Sequence, residues 1–296
     1  MGYHGSSSAS GPAPDLEYEK VESVIMPLTP SYVRVPDDPA CCGADAHLPQ
    51  GICRVTPDGL GAERLMGNEL SLTDEGKVQV AAFDFDGTCI DGNSPVLLVR
   101  HLARMGRLAP SVLARIIGWG AAYKLRLPQN EAWVRGLVFR AFAGRPVGEV
   151  NDFLHDFYDR FIDGRFRPAA DEAMAAHLAE GHAVVCVSAT FEPIIAAAME
   201  RHPIQYAVAT RMKVDFQGNY TNEVEGLPVE GPAKVEVLTD LCDELFGVGK
   251  WELGWAFGDH HSDRALLAAA RHGCAVTPDR PLARTAAAEG YDVLEW

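Results

Sequence analysis

One stretch limits what this chain folds into more than any other. Val80-Ala81-Ala82-Phe83-Asp84-Phe85-Asp86-Gly87-Thr88 is a short apolar run that ends in two carboxylates, then glycine and threonine. A run without polar interruption reads as a parallel strand covered on both faces, and open α/β sheets gather their chemistry at the carboxyl ends of such strands. Asp84 and Asp86 stand at that end. Residues i and i+2 of an extended segment project to the same side, so both carboxylates address one small volume, and Gly87 allows a tight turn beside a ligand. Two acids that close repel unless a shared proton or a cation intervenes. Magnesium suits such a pair, because it takes hard oxygen ligands and is commonly held by one or two carboxylates and a substrate phosphate.

The C-terminal half repeats the strand and helix rhythm. Patterning predicts a helix over 168–180, a strand over 183–187, a helix from Glu192, a strand over 206–209 and a hairpin over 212–221 around Gln217-Gly218-Asn219. There follow a helix over 232–246, a strand over 253–257, a helix over 262–271, a strand over 274–277, a helix from Pro281 and a last strand over 292–294. This alternation predicts an α/β fold with a doubly wound parallel sheet. After the turn-rich Cys89-Ile90-Asp91-Gly92-Asn93-Ser94-Pro95, apolar residues recur at helical spacing to about residue 166, giving three to five helices inserted behind the first strand. The expected division is a core of residues 77–90 and 167–296, a helical cap of 91–166, an irregular Pro-rich arm of 21–76 and a mobile tail of 1–20. Segment 112–127, with Arg115, Lys124 and Arg126 at its flanks, is apolar enough for an interfacial helix. Gly118 and Gly120 break it, and a bundle helix is the simpler reading.

Composition narrows the function classes. At 296 residues and 47% hydrophobic content the chain has ample material for a core, and a net charge of −15 argues against non-specific nucleic-acid binding. No run reaches the length of a membrane span and the first twenty residues lack the order of a signal peptide, so a cytoplasmic protein is expected. Seven scattered cysteines do not form a secreted disulfide framework. Cys186 and Cys274 read as small core residues, whereas Cys89 is expected to be partly exposed near the site. Cys41, Cys42 and Cys53, with His47 between, match no common zinc knuckle.

Three further positions share the setting of the aspartate pair. Ser188 ends the apolar Val184-Val185-Cys186-Val187 and leads through Thr190 and Pro193 into a helix, where free amides favour anions. Lys234 sits in the opening turn of a helix, against the helix dipole, a placement that calls for a reason. Ala256-Phe257-Gly258-Asp259-His260-His261-Ser262-Asp263 ends another strand with two aspartates four apart, a spacing that shares one face of the helix beginning there.

In this order, Asp84-Phe85-Asp86-Gly87-Thr88, Ser188, Lys234 and Asp259 with Asp263 resemble the four motifs of the haloacid dehalogenase superfamily. The hairpin ahead of Lys234-Val235 and the helical insert after the first motif resemble its phosphoserine phosphatase-like branch, with the cap arrangement called subclass IB. The resemblance implies a magnesium-dependent phosphatase acting on a small phosphorylated metabolite. Asp84 would be the nucleophile, Asp86 the acid and base, and Lys234 the neutralising cation. It further implies phosphoryl contacts from Gly87, Thr88, Ser188 and Ala189. Magnesium would lie on Asp84, Asp259 and the main-chain carbonyl of Asp86, with Asp263 in support. The sequence departs from phosphoserine phosphatases by offering Asp91, Asn93 and Ser94 where they carry a glutamate, by lacking a glycine pair in Ser188-Ala189-Thr190, and by placing His260 where glycine is common. Arg100, Arg104 and Arg140 are the cap bases available to an acidic substrate, although basic residues on helices are ordinarily solvated. A phosphotransferase or mutase would use the same aspartyl-phosphate, and a non-catalytic phosphate-binding or scaffold protein is the other alternative. A separate acid-base group at Asp86 argues against the latter.

Overall fold

The computed structural model describes residues 32–34, 52–54, 70–106 and 131–296. The expected mobile tail, nearly all of the Pro-rich arm, Cys41, Cys42, His47 and segment 112–127 lie outside the described residues. From the arm come two three-residue strands, β1 (Tyr32–Arg34) and β2 (Ile52–Arg54). The remaining strands are β3 (Val78–Phe83), β4 (Ala183–Phe191), β5 (Tyr206–Val214), β6 (Tyr220–Glu225), β7 (Trp251–Gly258), β8 (His272–Val276) and β9 (Asp292–Leu294).

The strand order is β2-β1-β5-β4-β3-β7-β8-β9, with β6 paired to β5. All pairs from β5 through β9 along this order are parallel, while β1, β2 and β6 add antiparallel pairs. From β3 the chain steps outward to β4 and β5, then returns to β7, β8 and β9 on the other side. That reversal opens a crevice beyond the carboxyl ends of β3, β4 and β7, the place where doubly wound sheets hold ligands.

Helices α1 (Ser94–Arg104), α2 (Glu131–Phe142) and α3 (Val147–Phe161) lie between β3 and β4 in the chain. They are followed by α4 (Pro168–Ala179), α5 (Glu192–Arg201), α6 (Ala233–Phe246), α7 (Arg264–Ala269) and α8 (Arg280–Glu289). Alternation along the strands feeds two cores. Ala81, Phe83, Val184 and Cys186 pack with Leu98 and Leu102 of α1, Phe139 of α2, Phe157 of α3 and Ile194 of α5. Val80, Ala82, Val185 and Val187 pack with Val237 and Leu241 of α6, Leu266 of α7 and Leu282 of α8. Both faces of β3 are therefore apolar because both are covered.

Three expectations are corrected. The helix expected over 262–271 splits into a 3-10 turn, His261–Asp263, and α7, because His260 and Asp263 cap the turn reciprocally. β4 continues past Ser188 to Phe191, with a register shift between those residues that admits Ala189 and Thr190. Cys89 is fully buried rather than partly exposed, its Sγ 2.9 Å from the Asp84 carbonyl oxygen. Cys186 and Cys274 are core residues as expected. Among the described residues no helix is long and apolar enough to cross a membrane.

Candidate active site

Asp84 follows β3, and its amide donates to the Phe257 carbonyl at 2.9 Å, which fixes the end of β3 against β7. The side chain is buried. Lys234, second residue of α6 and also buried, places Nζ 2.5 Å from Asp84 Oδ1 and 2.6 Å from Asp263 Oδ1. Two carboxylates thus account for a lysine that opposes its own helix dipole. Burial alone would lower the Lys234 ammonium, but Asp84 and Asp263 outweigh it and hold the group above its usual range.

Asp259 stands just beyond β7 and accepts from Thr88 Oγ1 at 3.3 Å. One carboxylate oxygen from each of Asp84, Asp259 and Asp263 lies within 4.8 Å of the others. Asp259 and Asp263 converge through the capped 3-10 turn, not along one face of an α-helix. Three acids face a single ammonium. Burial holds Asp84 well above the ordinary carboxylate range; Lys234 pulls it back, and Asp263 and Asp259 push it up again. Burial and then Asp263 push Asp259 to about 7, against His260, Lys234 and the Thr88 hydrogen bond. Hard oxygen donors with negative charge left over are the ligand set a divalent cation takes. Gly87, at φ +84°, lets the loop touch this cluster: a Cβ there would stand 2.1 Å from Asp259 Oδ2.

Asp86 belongs to a different network. Its Oδ1 accepts from the Ser94 amide at 2.6 Å, and its Oδ2 lies 3.0 Å from Ser94 Oγ and 2.5 Å from Thr190 Oγ1. Those two hydroxyls are themselves 2.5 Å apart. The Ser94 amide and the two hydroxyls are the donors that hold the Asp86 carboxyl group. Burial raises the Asp86 pKa, opposed by hydrogen bonds from Thr190 and Ser94 and by the charge of Lys234.

Ser188 is buried at the crevice, its Oγ accepting from the Thr190 amide at 3.1 Å, and Ala189 follows, half-buried, in the bulge. His260 is half-buried, accepts from the Ser262 amide and lies 3.5 Å from the Asp279 carboxylate, so it caps a turn. Asn93 caps α1 through the Val96 amide at 3.1 Å, and Asp91 is exposed, 3.8 Å from Arg167. Arg140 is exposed on α2, and Arg100 and Arg104 line a cavity that includes none of Asp84, Asp86, Asp259 and Asp263. The hold of Ser94 and Thr190 on Asp86 escaped sequence reasoning, as did Arg167, whose Nη2 lies 3.3 Å from the Gly87 carbonyl oxygen. A serine behind a helix cap and a threonine two residues past Ser188 were visible; their meeting was not. Nothing local marks Arg167.

A doubly wound sheet with an aspartate pair, a buried lysine and a serine at its switch point defines a class of hydrolase with a Rossmann-like core and a helical insert. The chain belongs to the haloacid dehalogenase-like hydrolase family, which matches residues 81–268. It is 34% identical over 148 residues to a probable phosphatase of Mycobacterium tuberculosis, covering 50% of this chain and 48% of that protein. The chain therefore spans about half the length of that curated relative. A histidinol-phosphatase of Neisseria meningitidis is 23% identical over 222 residues, 73% of this chain and 98% of that one. A phosphoserine phosphatase solved as a phospho-aspartyl intermediate analogue shares the fold, with a TM-score of 0.51 at 21% identity over 74% of this chain and 93% of that one.

Proposed function

We propose that this chain is a magnesium-dependent phosphatase that hydrolyses a small phosphomonoester through an aspartyl-phosphate on Asp84. The observation that carries the reading is the opposite setting of two carboxylates two residues apart. Asp84 is ion-paired to Lys234, whereas Asp86 has no cation in contact, is oriented by the Ser94 and Thr190 hydroxyls and has its pKa raised by burial, which suits it to carry a proton. In the first step Asp84 forms the new oxygen–phosphorus bond in line, the ester bond breaks, and Asp86 gives its proton to the departing alkoxide. In the second, Asp86 takes a proton from water as the water oxygen attacks phosphorus and the aspartyl–phosphorus bond breaks. Lys234 favours the ionised form of Asp84 against the cost of its burial and steadies the phosphoryl oxygens, and the loop residues Gly87, Thr88, Ser188 and Ala189 receive the group. Asp84 and Asp259, with the main-chain carbonyl of Asp86 and support from Asp263, would hold magnesium, which supplies charge neutralisation between an anionic nucleophile and an anionic ester.

Residues 91–166 act in this reading as a cap over a core of 77–90 and 167–296. Support comes from the way the insert leaves and re-enters the core. Asp91 N donates to Arg165 O at 2.9 Å, Arg167 N donates to Cys89 O at 2.8 Å, and Ile90 bridges Phe166. The insert also meets the core at the β5–β6 hairpin, where Gly144 N and Val147 N donate to Tyr220 O and Gly218 O, and at α5, where His155 lies 2.8 Å from Glu200.

The test is phosphate release from phosphoserine, histidinol phosphate and an aryl phosphate, with and without magnesium. Wild type should release phosphate from at least one ester only with the metal, and Asp84→Asn should lower the rate by about 10⁴-fold or more. Release that survives in Asp84→Asn would remove the aspartyl-phosphate. Phosphoryl transfer to added alcohols in place of water would identify a phosphotransferase.

A further inference from the structure

A second charged site lies where the insert joins the core, outside the catalytic crevice. A cavity of about 1030 Å³ is lined by Arg100 and Arg104 of α1, Arg160 of α3, and Arg165 and Arg167 of the returning linker. Asp84, Asp86, Ser188, Lys234 and Asp259 are not among its walls. Arg100 and Arg104, four residues apart, share one face of α1, where like charges repel. Neither has a hydrogen-bond or ion-pair partner among the described residues. Arg165 is held by main-chain carbonyls, its Nε 3.1 Å from Phe161 O and its Nη1 3.3 Å from Asp91 O, which leaves its charge standing. Arg167 contacts the carbonyl oxygen of Gly87 at 3.3 Å and a main-chain oxygen of Trp296 at 2.6 Å, with the Asp91 side chain at 3.8 Å. Arg160 lies 3.4 Å from Asp156 on an exposed surface. Three acids, Asp91, Glu172 and Glu295, also reach the cavity wall against the five arginines. In a chain of net charge −15, five guanidinium groups against three acids on one wall is a local excess of positive charge.

We propose that this cavity binds a small polyanion bearing two or more phosphate groups, bridging the helical insert at Arg100 and Arg104 to the core at Arg167. Guanidinium forks match phosphate oxygens in pairs, and a space this large exceeds what one phosphate fills. Phe161 and Trp296 in the same wall offer aromatic surface to a base attached to the phosphate chain. Because Arg167 also holds the carbonyl of Gly87, beside Asp86 and Thr88, an occupant ties the insert to the loop that carries the catalytic pair. The site stands on its own lining residues and does not depend on the catalytic reading.

The test is calorimetric titration of the full chain, in EDTA, with inorganic tripolyphosphate. Wild type, the double variant Arg100→Ala with Arg104→Ala, and Ser188→Ala are compared. Both arginines are on the surface, so the double variant should melt with wild type while binding at least about tenfold more weakly. Ser188→Ala, which alters the crevice, should bind as wild type does. No heat with wild type, unchanged affinity in the double variant, or equal loss in Ser188→Ala would each overturn the proposal. Repeating the titration with ATP separates two sources of the same chemistry: tighter binding than tripolyphosphate assigns the aromatic wall to a base, and equal binding assigns the ligand as a bare phosphate chain.

Discussion

Asp84 and Asp86 are separated by a single phenylalanine, yet their surroundings are opposite in kind. Asp84 meets an ammonium that arrives from α6, and Asp86 meets two hydroxyls that arrive from α1 and from the bulge after Ser188. The Thr190 hydrogen bond lowers the Asp86 pKa by stabilising the carboxylate, so removing it raises that pKa. Thr190→Val should therefore move the alkaline limb of the kcat/KM profile upward, since the acid stays protonated to higher pH. Turnover at neutral pH should fall about tenfold or more as the acid loses its orientation. An unmoved limb would show that Asp86 is not the group titrating in the first step. Asp84, Asp86, Lys234, Ser188, Asp259 and Asp263 could all be picked from the sequence, because each lies at or near a strand end or in a helix opening beside a short motif. The contact of Ser94 with Asp86 could not, because only folding brings that serine eight residues back onto the carboxylate.

Elements carry these residues into place, and α1 shows how directly. Asn93 accepts from the Val96 amide and begins the helix, so the next amide, that of Ser94, points at Asp86 Oδ1. Asn93→Ala should lower stability by about 1 kcal/mol, as loss of a helix cap does, measurable in urea. It should also reduce turnover more than that loss explains at temperatures well below melting, because the Ser94 contact loosens. Activity equal to wild type would separate the cap from the site. The hairpin between β5 and β6 was legible from Gln217-Gly218-Asn219. The Asp215 carboxylate accepts from the Gln217 and Asn219 amides at 2.8 and 2.9 Å and fixes the turn. Its reach was not legible, since β5 merges a core strand with the first hairpin arm. The Tyr220 carbonyl then accepts from Gly144, and the Tyr220 hydroxyl donates to Asn151 on α3.

At the scale of the molecule, titration of the folded state sets a pH window. Burial, and then the charge of His182, push His177 down to about 4 from an ordinary 6.5, with Glu180 opposing. The folded chain therefore binds fewer protons at this site than the unfolded chain between those values. Stability from neutral His177 is fully present above about 6.5 and is lost as pH falls toward 4. The Tm of wild type should decline across that interval more steeply than that of His177→Gln; parallel curves would mean that His177 takes up its proton without unfolding.

The sequence by itself determined the α/β class, the strand-end positions of the site residues and the helical insert, because hydrophobic period and turn chemistry act over a few residues. Tertiary structure alone decided the rest. Asp84, Lys234 and Asp263 are joined only when the end of β3, the start of α6 and the turn after β7 meet at the reversal of strand order. The arm strand β1 was not foreseen on the edge of β5, nor were the arginines of α1 and the returning linker around one cavity. Such meetings depend on contacts between residues distant in the chain, and a local pattern carries no record of its partner's address.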